Sequence, residues 1–564
     1  MTDRISAQQD EVVQETNFTE EPLLRRDSGA PEEPRNGNAS QSQSQSQSQS
    51  QRNSYGSMSV AANGSGASNG TNKAANTPAK PARDLAPDLL RGVLMALMAF
   101  DHAGVTLRVW PHGQGIHSEL DSAVVEQFNW WLPYTIRTLT HLCASGFTFL
   151  LGMGIVYFGR SRARLGWSTG KMARHFFLRA VVLTLVSVVF GAVLSGFQVW
   201  FLNIVLFALA VDYLIAGLLY LLFSGTEQAL ARLLVREIPD EPEEEVREPM
   251  LSAPPGEGET VVRSSDRVIV RASRISWHVH NVLLMVLGVV TIWWNIWMSP
   301  THGYCKPQES ELLPTTASSA AAAAPPSPIT EGFWPILRDI WFYPLLGHRV
   351  MSGFPPMGWL SFAVLGLLYG RIVLARRWSP RAVNAGNALA AAGFLLVFAL
   401  TRVLRIGNLS EDCLRTPAQT GAGEGSNPYL QSARSFFYTV KYPPDVAFWA
   451  YTLGGNFVIL VLLGVIPTSI SKRFGVLLAY GTSALFFYIV HMLLLVLAAV
   501  PLIGLFGEEL GYDDELTGEP AVGVKSVPAF FAVWAAVLAA MYPLCRWYGA
   551  FKARQGPDSL WRFF

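Results

Sequence analysis

The 564-residue chain predicts an all-α, polytopic membrane protein with about ten transmembrane helices. Three observations carry that expectation. Hydrophobic residues make up 50% of the chain and charged residues only 15%, too apolar for an average soluble protein. Ten apolar segments are each near the length that crosses a bilayer core. Lys and Arg are distributed among the loops as a positive-inside topology requires. The net charge of +1 offers no field that would attract nucleic acid, and four cysteines without a CxxC motif exclude a disulfide scaffold.

Residues 1–82 are rich in Ser, Gln, Asn and Gly and carry a Ser-Gln repeat from Ser40 to Gln51. Such a segment cannot bury enough apolar surface to offset its ordering entropy, so it reads as a disordered tail. The next part, 83–223, holds four spans near 89–108, 139–159, 176–196 and 200–223. An acidic linker follows over 224–276, with its run of carboxylates from Glu237 to Glu248. The part 277–545 holds six spans, near 277–298, 354–375, 382–403, 445–466, 475–500 and 527–545, and 546–564 is a tail.

The basic loops set the orientation. Arg160, Arg162, Arg164, Lys171 and Arg174 follow span two, Arg371, Arg376, Arg377 and Arg381 follow span six, and Lys472 and Arg473 follow span eight. These and the basic C-terminal tail alternate consistently with both termini in the cytosol. The loops 299–353 and 404–444 then face the lumen or the exterior. That side is oxidising, which makes Cys305 and Cys413 a disulfide candidate. Asn408, in Asn408-Leu409-Ser410, is the one sequon there and the candidate glycan acceptor.

Ionisable residues inside the spans point to chemistry. Asp101 and His102 lie ~15 Å beyond Arg91 along a helix, near or past the middle of the ~30 Å hydrocarbon layer if Arg91 marks an interface. Groups at that depth are costly and face a protein-lined cavity or another polar group. His141 opens span two, and His491 lies ~24 Å into span nine, so topology alone places Asp101, His102, His141 and His491 in the outer half of the membrane. Lys441 enters span eight from the same side, in Lys441-Tyr442-Pro443-Pro444-Asp445. Its bland role is a helix start, and its chemical role is to hold an anionic group. No HExxH, GxSxG or phosphate-binding loop is present, and no metal is expected.

Four stretches carry a resemblance: Arg91–His102 (RGVLMALMAFDH), Arg137–Gly154 (RTLTHLCASGFTFLLGMG), Thr439–Asn456 (TVKYPPDVAFWAYTLGGN) and Tyr480–Leu495 (YGTSALFFYIVHMLLL). In this order and spacing the chain resembles bacterial and fungal membrane proteins grouped with the catalytic-domain family of heparan-α-glucosaminide N-acetyltransferase. The similarity covers most of residues 84–503. It implies a transmembrane acyltransferase-like bundle that moves an acetyl group from acetyl-CoA, taken up from the cytosol, to an acceptor on the lumenal face. The acceptor is a sugar or another amine or hydroxyl compound of unidentified structure, and an endomembrane is favoured over the plasma membrane. A catalytic histidine, His102 or His141, would act as general base, with Asp101 fixing its tautomer. Arg137, Lys441 and His491 would bind substrate or cosubstrate. The rival class is a proton-coupled transporter of a small solute, because intramembrane Asp and His also serve proton relays. The oligomeric state is left open.

Overall fold

The computed structural model describes residues 85–115, 119–237, 264–299, 301–305, 333–346, 350–423, 425–513, 520–556, 559 and 561. The expected tail 1–82 and residues 306–332 of the loop 299–353 lie outside the described residues. The protein is an all-α polytopic membrane protein, and ten of its described helices are long and apolar enough to cross a bilayer.

These helices are α1 (Ala86–Leu107), α2 (Trp131–Arg164), α3 (Thr169–Leu194), α4 (Leu206–Glu237), α5 (Ser264–Trp297), α6 (Pro356–Ala375), α7 (Pro380–Leu404) and α8 (Val446–Val465). A short helix, α9 (Gly475–Thr482), then precedes α10 (Ala484–Phe506) and α11 (Val527–Ala553). Their starts follow ordinary capping chemistry. Ser168, Ser379, Asp445 and Ser526 each accept a first-turn N–H, from Lys171, Ala382, Phe448 and Ala529.

Several spans run longer than hydropathy expects. Helix α4 continues to Glu237 and α5 begins at Ser264, so both enter the stretch expected as linker. The residues 224–237 include Ala, Leu, Gln, Glu and Arg, good helix formers that a hydropathy window ignores. Helix α2 begins at Trp131, which corrects the position of His141. It lies ten residues inside the helix, ~15 Å from its start, and not at its opening.

Helices α2 and α6 form the centre, with 72% and 78% of their apolar windows buried, whereas α10 and α11 are peripheral at 17% each. The central pair crosses backbone to backbone. A Cβ on Gly152 would stand 2.0 Å from the Ala363 carbonyl oxygen, and one on Gly366 would stand 2.0 Å from that of Phe149. Only glycine permits this approach, the usual close-packing device of membrane helices.

The expected ninth span is a broken helix. The chain leaves helical geometry at Ser483 (φ −119°, ψ 37°), between α9 and α10. Helix α9 lies against α1 at two glycines: a Cβ on Gly481 would meet the Asp88 oxygen at 2.1 Å, and one on Gly92 the Leu477 oxygen at 2.1 Å. Arg91 donates through Nη1 to the Gly481 carbonyl (3.3 Å), and Ser483 Oγ donates to the Cys545 carbonyl (3.3 Å). The break thus has polar partners inside the bundle, the condition for irregular backbone at membrane depth.

At the end of the bundle opposite the Arg160–Arg174 loop, the described residues of 108–130, 299–305 and 404–445 fold into a cap. It has its own apolar core of Val125, Phe128, Tyr134, Leu409, Leu414, Tyr429, Tyr438 and Val440. Cys305 and Cys413 are disulfide-bonded. Val125 N–H donates to the Cys413 carbonyl (2.9 Å), and Lys441 N–H donates to the Glu119 carbonyl (3.2 Å). These ladders hold Glu119 and Lys441 against the ends of α1 and α2.

Asn408 corrects the glycan expectation. Its side chain is buried in the cap, and Nδ2, the atom a glycan would occupy, donates to the Thr401 carbonyl at 3.1 Å. A sequon marks sequence alone, whereas attachment needs an exposed amide.

Candidate functional site

Helix α1 delivers Asp101 and His102, but not as a dyad. Successive residues on an α-helix project ~100° apart and do not face each other. Asp101 turns toward α2. Its Oδ2 accepts from Arg137 Nη1 (2.9 Å) and its Oδ1 from Thr140 Oγ1 (3.1 Å). His102 turns toward α10, where its Nδ1 lies 2.9 Å from Nε2 of His491. The two rings lie edge to edge and near coplanar, with 5.2 Å between centroids and 14° between planes, as an in-plane hydrogen bond requires. His491 Nδ1 in turn lies 2.8 Å from the Phe487 carbonyl oxygen, one turn back on its own helix. The expectation that Asp101 orients His102 is therefore corrected: both carboxylate oxygens of Asp101 are engaged by residues of α2.

A second polar layer lies behind Asp101. Arg137 is 3% exposed, too enclosed to meet a substrate directly. It joins Asp101 to Glu119, donating to Glu119 through Nε (3.1 Å) and Nη2 (2.8 Å). Glu119 also accepts from the Gln114 N–H (2.9 Å) and lies 3.1 Å from His141 Nε2. Burial alone would raise the Glu119 pKa. The Arg137 guanidinium and His141 outweigh that and hold the carboxyl well below its usual range. His141 is fully buried, with Thr439 Oγ1 3.5 Å from its Nδ1, so both ring nitrogens face protein groups. It is enclosed, and it does not line the cavity described next.

That cavity has a volume of about 360 Å³ and lies among α1, α2, α3, α4 and the α9–α10 break, with α11 at one end. One end is lined by Asp101, His102, Lys441 and Phe354. The other reaches Arg91, Thr482 and Lys552, with Arg179 on the wall between. Lys441 is buried, with its ammonium 5.4 Å from the Phe354 ring centre and 5.1 Å from that of Tyr442. The ammonium makes no hydrogen bond or ion pair within the described residues.

The residues singled out in the sequence therefore divide. Asp101, His102 and Lys441 share the cavity, and His491 backs His102. Arg137 and His141 belong to the enclosed layer. Glu119 escaped the sequence reading because it lies in a loop between spans. One signal pointed toward it: Arg137 and Lys441 are two cations at the depth of a single acid, Asp101, and burial of unpaired charge is costly. Among the described residues no group of three or more His, Cys, Asp or Glu could hold a metal ion. No family model matches this chain, and no curated protein matches it.

Proposed function

We propose that this protein is a multi-pass membrane acyltransferase that moves an acetyl group from acetyl-CoA to a small-molecule or glycan acceptor. The observation that carries the reading is the cavity. It joins a cationic end at Arg91 and Lys552, with Arg179 on the wall between, to an end that holds an imidazole, a carboxylate and an ammonium. Its volume falls within the range of small-molecule sites. Arg91 and Asp101 are separated by ~15 Å of helix, so the two ends sit at different depths of the bilayer.

The residues divide the work accordingly. Arg91, Arg179 and Lys552 suit the phosphates of the cosubstrate and leave its thioester arm to reach inward. His102 takes the proton of the acceptor hydroxyl or amine as that atom attacks the thioester carbonyl. Lys441 stabilises the charge that develops on the carbonyl oxygen. Collapse of the tetrahedral intermediate releases the thiolate, which recovers the proton from His102. The positive-inside pattern supports donor entry from the cytosol and an acceptor on the lumenal side of an endomembrane, with both termini cytosolic. The resemblance of the four sequence stretches to the acetyltransferase family supports the same assignment.

A proton-coupled transporter of a small solute is the second reading, and the helix break at Ser483 favours it, because discontinuous helices build many carrier sites. The test is acetyl-CoA binding and thiol release by purified protein with panels of amino sugars and polyols. Acyl transfer predicts binding that Arg91→Met weakens and release that His102→Ala abolishes. No binding, or release that His102→Ala leaves untouched, sinks it. Solute-driven proton flux in proteoliposomes without thioester cleavage establishes the carrier.

A further inference from the structure

We infer that His491 is a positioning residue that sets the tautomer of His102 and leaves His102 Nε2 as the basic atom of the cavity. The argument follows hydrogens along three groups. The Phe487 carbonyl oxygen can only accept, so the 2.8 Å contact requires a hydrogen on His491 Nδ1. A neutral imidazole carries one N–H, so His491 Nε2 presents a lone pair. The atom 2.9 Å from that lone pair is His102 Nδ1, which must therefore supply the hydrogen. The opposite arrangement would set the bare Nδ1 of His491 against the Phe487 oxygen, lone pair to lone pair. With its hydrogen on Nδ1, neutral His102 has a bare Nε2. That atom makes no hydrogen bond within the described residues, and the His102 ring lines the cavity.

No carboxylate competes for this role. Asp101 spends its oxygens on Arg137 and Thr140, and Glu119 spends its own on Arg137, His141 and Gln114. A neutral, near-coplanar imidazole 389 residues away in sequence orients the base instead. The inference rests on the acyltransferase reading only for what the base does there: Nε2 takes the acceptor proton and returns it to the leaving thiolate, while the Nδ1 hydrogen stays on the bond to His491. Asp101, on the neighbouring face of α1, offsets the positive charge that His102 carries in between.

The experiment is nitrogen NMR on the full-length protein labelled with ¹⁵N-histidine in lipid nanodiscs, with His102 assigned by its loss in His102→Gln. The expected result is one bare nitrogen, Nε2, and one protonated nitrogen, Nδ1, on His102, with a through-space contact from Nδ1 to His491 Nε2. A hydrogen on Nε2 and a bare Nδ1 overturn the inference. His491→Leu should mix the two tautomers. His491→Gln, whose side-chain oxygen stands near the position of Nε2, should keep the native one. In an acyl-transfer assay His491→Leu should lower kcat by ~10²-fold or more at unchanged KM for acetyl-CoA, and His491→Gln should recover most of the loss. The native tautomer without thiol release for any acceptor refutes the acyltransferase reading alone. Thiol release with the opposite tautomer refutes the inference alone.

Discussion

Glu119 holds the buried layer together, and its removal is the sharpest test of how the cap meets the bundle. The carboxylate accepts from Arg137 Nε and Nη2, from the Gln114 N–H and from His141. Glu119→Ala leaves Arg137 with Asp101 as its one remaining acid and leaves His141 without its anionic partner. Breaking one side of a buried ion pair destabilises by about 3–5 kcal/mol, because the other charge stays buried. The double variant Glu119→Ala/Arg137→Met should be less destabilised than the two single variants added together, by about 1–3 kcal/mol. The sign of the pH effect follows from the depressed carboxyl. The folded-state pKa lies below the ordinary value of 4.5. Its contribution to stability is therefore complete above about pH 4.5 and is lost as the pH falls through the folded value. Glu119→Gln should lose that acid-side slope. The assay is thermal or denaturant unfolding of purified protein in detergent across pH. A Glu119→Ala variant within about 1 kcal/mol of the parent, or an unaltered acid limb in Glu119→Gln, would refute the reasoning.

Four further outcomes are expected. Gly152→Ala forces its Cβ against the Ala363 carbonyl and should destabilise by about 1–3 kcal/mol, whereas Gly154→Ala on the same helix meets no atom within 4 Å and should be neutral or stabilising; melting of the pair separates packing from propensity. Maleimide labelling of denatured protein should reach two thiols, Cys143 and Cys545, without reductant and all four cysteines after reduction. Cys305→Ser removes a crosslink over 108 residues and should lower stability by up to about 5 kcal/mol, read by the unfolding midpoint. Glycosidase should leave gel mobility unchanged, because the Asn408 amide is enclosed; a shift that Asn408→Gln abolishes would show the cap to be open at that position.

The candidate site was legible in part for a definable reason. Depth along a helix is a one-dimensional quantity, and counting residues from the loops was enough to group Asp101, His102 and His491. Azimuth is different. Neighbours in sequence point ~100° apart, so Asp101-His102 looks like an acid–base pair in the string and divides between α2 and α10 in space. Glu119 was invisible because loop residues have no periodicity from which burial can be read. The break at Ser483 was invisible because α9 and α10 together form one apolar run, and hydropathy sums side chains without reference to backbone geometry.

The amino-acid sequence by itself determined the class of the protein, its ten membrane-length apolar segments and the intramembrane ionisable residues. These follow from transfer of side chains between water and lipid, which each residue settles almost independently. Only the tertiary structure decided which polar groups are partners. Asp101 pairs with Arg137, His102 with His491, and His141 with a cap carboxylate that no span pattern singles out. Those pairings depend on where helices hundreds of residues apart cross. The crossings are set by backbone contacts such as Gly92–Leu477 and Gly152–Ala363, whose partners no local pattern names.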